Sequence, residues 1–246
     1  MTVYKLIVLQ FIAHLLADFV FQPQRWCDRK EEKLISRYHW YHTIIVFVLS
    51  YLLSLDPCFW PAALALTALH FLVDILKSTL LLKYPGRNFF FLDQFIHILI
   101  FIGISIGYAT WFGINFLIDV KLETIAIVAG FIFCTKPANI LVKYIFIAFS
   151  IPSPLDVIQP SEADRQEQKK AIETSLPNAG RLIGIVERLL ALALILGGQY
   201  SAVGLIIAAK SILRFNDTQK TEYVLVGTLL SFGIAILTGI LIQLIK

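Results

Sequence analysis

Long apolar runs separated by short polar stretches set the pattern of this chain. The runs fall at about 3–22, 39–55, 60–83, 91–117, 120–135, 181–199, 202–214 and 221–245. A helix needs roughly 20 apolar residues to cross the hydrocarbon core of a bilayer. A closed barrel also satisfies every backbone group in lipid, but these runs are too long and show no strand alternation. The pattern therefore predicts an all-α, polytopic transmembrane helix bundle of about eight spans. Pro137 suits the first turn of a further helix to about Ser150. That helix either lies in the membrane interface or extends the fifth span past a kink. Residues 151–180 gather Pro152, Pro154, Pro160 and Pro177 with most of the local charge, and read as a cytoplasmic loop with a short helix around Glu162–Ser175. One integral membrane domain over 1–246 is expected. It comprises a His/Asp-rich four-helix half (1–118), the fifth span and interfacial helix (119–150), the loop (151–180) and a three-helix Arg/Lys/Glu half (181–246).

Composition strengthens this reading. Hydrophobic residues make up 58% of the 246, charged residues 15%, and the mean hydropathy is +0.76. Soluble domains carry about 25% charged residues, so polar surface here is too scarce to cover a globule in water. The N-terminal run is interrupted by His14 and Asp18 and is followed by no small-residue cleavage site, so a retained helix is expected rather than a signal peptide. Cys27, Cys58 and Cys134 are scattered and suggest neither a disulfide framework nor a thiolate metal site.

Charge placement predicts orientation. Arg25, Arg29, Lys30, Lys33 and Arg37 follow the first span, and Lys83 and Arg87 the third. Arg165, Lys169, Lys170 and Arg181 precede the sixth, and Arg214 and Lys220 the last. The alternate loops hold little beyond Asp56 and Lys121. By the excess of Lys and Arg in cytoplasmic loops, the basic side faces the cytoplasm, and an even span count places both termini outside. Trp40, Tyr41, Trp60 and Phe89–Phe91 sit at predicted helix ends as an aromatic belt, and Gly227 and Gly233 are read as close-packing positions.

Ionisable groups inside lipid cost ~2.5–3.5 kcal/mol each on insertion scales, and so point to function. His14 and Asp18, His70 and Asp74, and Asp93 and His97 each lie four residues apart, on one helix face. His42 lies just inside the second helix, Lys77 follows Asp74, and Gln94 follows Asp93. At 1.5 Å per residue, His14 is ~12 Å, His42 ~5 Å, Asp74 ~14 Å and His97 ~9 Å from the cytoplasmic ends of their helices. Four antiparallel helices thus bring these side chains towards one layer. His39 is placed at the border, in the interface. Imidazole suits zinc and other transition metals, and carboxylate extends the choice to manganese or magnesium. The candidate ligands are His14, Asp18, His42, His70, Asp74, Asp93 and His97, with zinc or manganese as the divalent ion. A hydrogen-bonded structural core and a proton or ion pathway fit the same residues.

A second polar group opens and closes the C-terminal helices: Arg181, Glu187, Arg188, Lys210, Arg214 and Glu222. It reads either as an ion-pair network or as an anion or phosphate site built on Arg188, Lys210 and Arg214. Gln22, Gln94, Glu187 and Glu222 are the supporting polar residues. No phosphate loop, dinucleotide fingerprint, H-E-x-x-H or nucleophile elbow occurs. The basic loops flank spans, so no nucleic-acid partner is expected.

Several stretches resemble a family of bacterial polytopic membrane proteins known as domain of unknown function 3307. They are His14-Leu-Leu-Ala-Asp18-Phe-Val-Phe-Gln22, His70-Phe-Leu-Val-Asp74-Ile-Leu-Lys77, Asp93-Gln94-Phe-Ile-His97 and Gly180-Arg181-Leu-Ile-Gly184-Ile-Val-Glu187-Arg188. Ala209-Lys210-Ser211-Ile-Leu-Arg214-Phe215 and Glu222-Tyr223-Val-Leu-Val-Gly227-Thr228-Leu-Leu-Ser231 extend the resemblance towards the C-terminus. It implies a bacterial cytoplasmic-membrane protein and supplies no reaction. A looser similarity, of residue type and setting, is to membrane-bound metal-dependent hydrolases.

Three functions are expected to compete. The first is an intramembrane metal-dependent hydrolase acting on a lipid or lipid-linked phosphate at the cytoplasmic leaflet. Asp18, Asp74 and Asp93 would supply ligands and a general base, and Lys77, with Arg188, Lys210 or Arg214, would hold phosphate. The second is a metal-ion or proton transporter. It is disfavoured because the outer halves of the helices look nearly free of polar side chains, the fourth offering only Ser105. The third is a scaffold or sensor that binds a cytoplasmic protein through residues 151–180.

Overall fold

The computed structural model describes residues 2–31, 33–84, 86–151, 179–214 and 221–245, with only the backbone described for Glu31, Ala179, Leu213, Arg214, Thr221, Glu222 and Val224. Most of residues 151–180, including the expected helix around Glu162–Ser175, lie outside them. The described residues are helical, without a strand. They form two compact units, Met1–Ile132 and Phe133–Leu244.

In the first unit, α1 (Thr2–Leu15) runs into a π turn at Leu16–Val20, closed by the Phe21 N–H donating to the Leu16 carbonyl at 2.8 Å. A short α2 (Gln24–Glu31) follows, in a segment expected to be loop. Next come α3 (Arg37–Ser54), α4 (Trp60–Lys83), α5 (Phe90–Trp111) and α6 (Leu122–Phe133). Helices α1, α3, α4 and α5 close a ring: α1 packs on α3 and α5, and α4 packs on the same two. α2 rests on α3 and α4, and α6 meets α1 through Leu9, Ile12, Ile125 and Ala129.

The ring carries apolar side chains outside and polar ones inside. Leu64, Leu69, Leu72, Leu76, Phe95, Leu99 and Ile106 are exposed, whereas Gln10, His42, Ser50, Thr67, His70, Asp74, Asp93, His97 and Ser105 are buried. That is the reverse of a water-soluble bundle and suits a lipid surround. Lipid tails are as apolar as leucine, so close packing and interior hydrogen bonds hold such helices together. Apolar side chains also meet inside the unit, Ala17, Val46, Leu66 and Phe101 in one cluster and Leu6, Phe59, Ala63 and Tyr108 in another. The aromatic side chains of Trp40, Tyr41, Trp60 and Phe91 are exposed, while Phe90 turns inward.

Among the described residues, four helical stretches are long and apolar enough to cross a bilayer: Thr2–Val20, Pro57–Lys83, Phe90–Trp111 and Leu225–Gln243. A fifth joins them if Leu122–Phe133 and Lys136–Ala148 count as one broken span. This falls short of the eight read from hydropathy. The 12 residues of α6 rise only ~18 Å, and α3 opens with Arg37, His39 and His42.

The second unit contains α7 (Lys136–Ala148), α8 (Ala179–Leu196), α9 (Tyr200–Arg214) and α10 (Thr221–Gln243). The helix expected from Pro137 is α7, with the proline in its first turn. Helices α8 and α10 are the closest pair, over buried Ala191, Leu192, Ile195, Ala235 and Ile242. Gly239 permits this approach, since a Cβ there would stand 2.5 Å from Ile195 Cγ2. Of the glycines expected at packing positions, Gly227 faces the Phe146 ring, with a Cβ at 3.4 Å, whereas Gly233 has open space around it.

Candidate functional site

The helix period brings the expected residues of the first unit into one buried cluster. His14 comes from the end of α1, Asp18 from the π turn and His42 from the second turn of α3. His70 and Asp74 come from α4, and Asp93 and His97 from the start of α5. π turns are rare and recur at functional sites, and here one carries Asp18.

Three atoms form the heart of the cluster. Asp18 Oδ1 lies 3.4 Å from His42 Nε2 and 3.5 Å from His70 Nε2, and the two nitrogens are 3.0 Å apart. Zinc bonds of about 2.0–2.1 Å in a tetrahedron place neighbouring ligand atoms about 3.3 Å apart. The triangle therefore has the edges of one face of such a tetrahedron. Asp74 Oδ2 stands 3.7 Å from His42 Nε2, and His14 Nδ1 stands 3.6 Å from Asp18 Oδ1. On the other side, Asp93 Oδ1 and Asp74 Oδ1 lie 3.3 and 3.9 Å from His97 Nε2. Asp74 thus turns one oxygen to each group, and the ligand atoms of each of three triads fall within 4.8 Å of one another: His14/Asp18/His70, His42/His70/Asp74 and Asp74/Asp93/His97. The His70 and His97 rings stack at 3.8 Å.

Surrounding polar groups orient these side chains. Gln94 Nε2 donates to Asp93 Oδ2 at 3.1 Å, which turns its Oε1 towards His14 Nε2, also at 3.1 Å. An amide oxygen only accepts, so His14 Nε2 carries the proton and its Nδ1 keeps a lone pair facing Asp18. Lys77 donates to Asp93 Oδ2 at 3.1 Å.

Lys30 was read from sequence only as a topology charge. It enters the cluster from α2, is 7% exposed, and donates to Asp74 Oδ2 at 2.5 Å. With its amide oriented to suit, Gln22 donates to the Asp18 carbonyl and accepts from Lys30 Nζ at 3.0 Å. His39 corrects a second expectation: it is fully buried rather than interfacial. The Ser36 N–H donates to its Nδ1 at 3.1 Å, so Nε2 donates to Ser78 Oγ at 3.2 Å, and Ser78 donates to the Lys30 carbonyl. This relay fixes α2, and with it Lys30, against α3 and α4.

Several polar atoms of the cluster lack a well-directed hydrogen bond among the described residues: Asp18 Oδ1, Asp93 Oδ1, His42 Nδ1 and both ring nitrogens of His97. Buried polar atoms are normally satisfied, so these call for an ion or water. Beside them, a cavity of about 20 Å³ opens between His14, His70 and His97 on one side and Gln10 and Ser50 on the other. By volume it has room for one water, with these polar side chains set among the apolar walls of Ala13, Val46, Leu66, Ile100 and Phe101. Gln10 and Ser50 exchange two hydrogen bonds, at 2.9 and 2.6 Å. With buried Thr67 and Ser105 they make the interior beyond the cluster more polar than the sequence suggested. Asp56, read as a loop charge, is buried and accepts from Tyr108 Oη at 3.1 Å and the Asn115 N–H at 2.9 Å.

The C-terminal candidates lie in the second unit. Arg188 is 2% exposed and donates to the Cys134 and Thr135 carbonyls, Asn139 Oδ1 and Ser231 Oγ. Lys210 pairs with Glu187.

Together these features define an all-helical chain whose apolar exterior is compatible with a membrane protein and whose interior gathers imidazoles and carboxylates. The family described as protein of unknown function (DUF3307) matches residues 6–128, and the chain belongs to it. The match covers every residue of the cluster, while the C-terminal stretches that carried part of the resemblance lie beyond it. No curated protein and no solved structure matches the chain.

Proposed function

We propose that the first unit holds one or two divalent metal ions, zinc or manganese, and that the protein is an intramembrane metal-dependent hydrolase acting on a lipid or lipid-linked phosphate. The observation that carries this reading is the triangle of Asp18 Oδ1, His42 Nε2 and His70 Nε2, with edges of 3.0–3.5 Å. A bound ion would bring the pKa of a coordinated water towards neutrality. The small cavity against His14, His70 and His97 is the place for that water. Asp74 belongs to two of the three triads and would be the carboxylate shared between two ions. Lys77, partly exposed beside Asp93, is the cation best placed to meet a phosphate. In this reading this end of the bundle faces the cytoplasm from a bacterial inner membrane, which the Lys and Arg of the flanking segments support.

The test is phosphate release from phosphatidic acid vesicles by purified protein. Wild type releases phosphate, a chelator stops it, and His70→Ala abolishes both activity and metal content. Undiminished release from metal-free protein rejects the reading.

A second reading, a metal-ion or proton pathway, draws on the buried layer of Gln10, Ser50, Thr67 and Ser105 beyond the cluster. Zinc or proton flux into proteoliposomes that is lost in Gln10→Leu would favour it over hydrolysis.

A further inference from the structure

Arg188 presents a problem of charge. Its guanidinium is buried, and all its hydrogen bonds run to neutral oxygens: the Cys134 and Thr135 carbonyls, Asn139 Oδ1 and Ser231 Oγ. Among the described residues no carboxylate lies within ion-pair distance of it, and nearby Glu187 is already paired with Lys210. Hydrogen bonds to neutral groups occupy four of the five guanidinium N–H groups, and Glu187, whose charge reaches Arg188, is shared with Lys210, so the two cations have one described carboxylate between them. A buried charge without a counter-charge is strongly unfavourable. The unmet requirement is for an anion.

The surroundings provide space for one. A groove of about 400 Å³ runs alongside Arg188 in the second unit, with Lys210, Thr228, Ser231 and Asn139 on its walls. Arg188, Lys210 and Glu187 leave a net charge of +1 on this lining. Asn139 turns its oxygen to Arg188, so its Nδ2, buried and without a partner, remains as a donor. Gly184 keeps the wall open, since a Cβ there would lie 3.3 Å from Arg188 Nη1.

We propose that this groove is a binding site for a phosphate group, carried either by an anionic lipid headgroup or by free phosphate. Arg188 supplies the buried positive charge, and Asn139, Thr228 and Lys210 supply further polar contacts. The site is built within the second unit and does not rest on the metal centre.

The test is native mass spectrometry of the full chain released from detergent micelles, with a chelator present so that metal-bound phosphate does not contribute. The probes are inorganic phosphate and dioctanoyl phosphatidylglycerol, with dioctanoyl phosphatidylcholine as the zwitterionic control. Wild type retains one anion per chain, and Arg188→Gln weakens retention about tenfold or more, as loss of a charge-assisted contact requires. Should Arg188→Gln fail to fold, because two carbonyls lose their donor, Lys210→Gln carries the test: it leaves Glu187 unopposed and also weakens retention. Retention of phosphatidylglycerol alone identifies a headgroup site, and retention of both probes a general phosphate site. No adduct with either anion, equal retention of phosphatidylcholine, or wild-type binding by Lys210→Gln overturns the proposal.

Discussion

Lys30 and Asp74 meet at 2.5 Å inside the four-helix ring, although 44 residues separate them and Lys30 belongs to a helix outside that ring. The ammonium sits on an oxygen that also faces His42 at 3.7 Å. A cation in that position balances the carboxylate when no other ion is present and competes with a divalent ion for it.

Lys30→Gln separates these roles. Breaking a buried pair by removing one partner costs about 3–5 kcal/mol, so the metal-free variant melts well below wild type in detergent. Added zinc restores more stability to the variant than to wild type, because Asp74 no longer shares its charge. A thermal-shift series with and without chelator checks this. Equal shifts in both proteins mean that Lys30 does not compete with metal.

Asp18→Asn keeps the size of the side chain and removes the charge that His14, His42 and His70 all face. Zinc affinity falls at least as far as the 10–100-fold expected of an outer-shell change, while the helical content by circular dichroism is unchanged. Competition with a chromogenic chelator measures the affinity.

Gln94→Leu removes the amide that accepts from His14 Nε2 and donates to Asp93. His14 is then free to move its proton to Nδ1, which blocks the lone pair facing Asp18. Metal affinity drops about 10–100-fold without loss of any proposed ligand. Unchanged affinity would place His14 outside the centre.

Gly239→Val tests the fold apart from the site. Its Cβ would stand 2.5 Å from Ile195 Cγ2, and overpacking of this kind costs about 1–3 kcal/mol. The thermal transition falls while metal content per folded chain stays at the wild-type level.

The sequence carried the metal candidates well because a helix repeats every 3.6 residues, so pairs four apart must share a face. His14/Asp18, His70/Asp74 and Asp93/His97 were legible for that reason. Lys30 was not: it stands among five basic residues after the first span, where each charge fits a topology signal equally well. His39 escaped for a similar reason, since its burial depends on Ser78 from another helix. The π turn at Leu16–Val20 leaves no mark in the residue pattern, and burial of Asp56 depends on Tyr108 and Asn115, more than 50 positions away. Local periodicity was readable, and contacts made by folding back were not.

The most direct test of the metal centre is elemental analysis of the full chain purified without added metal or chelator, beside Asp18→Asn and His70→Ala. Wild type should carry about one or two zinc or manganese ions per chain, and both variants should lose most of that metal. Wild-type protein that carries no more metal than the variants, and takes up none from added zinc, would contradict the proposed metal centre.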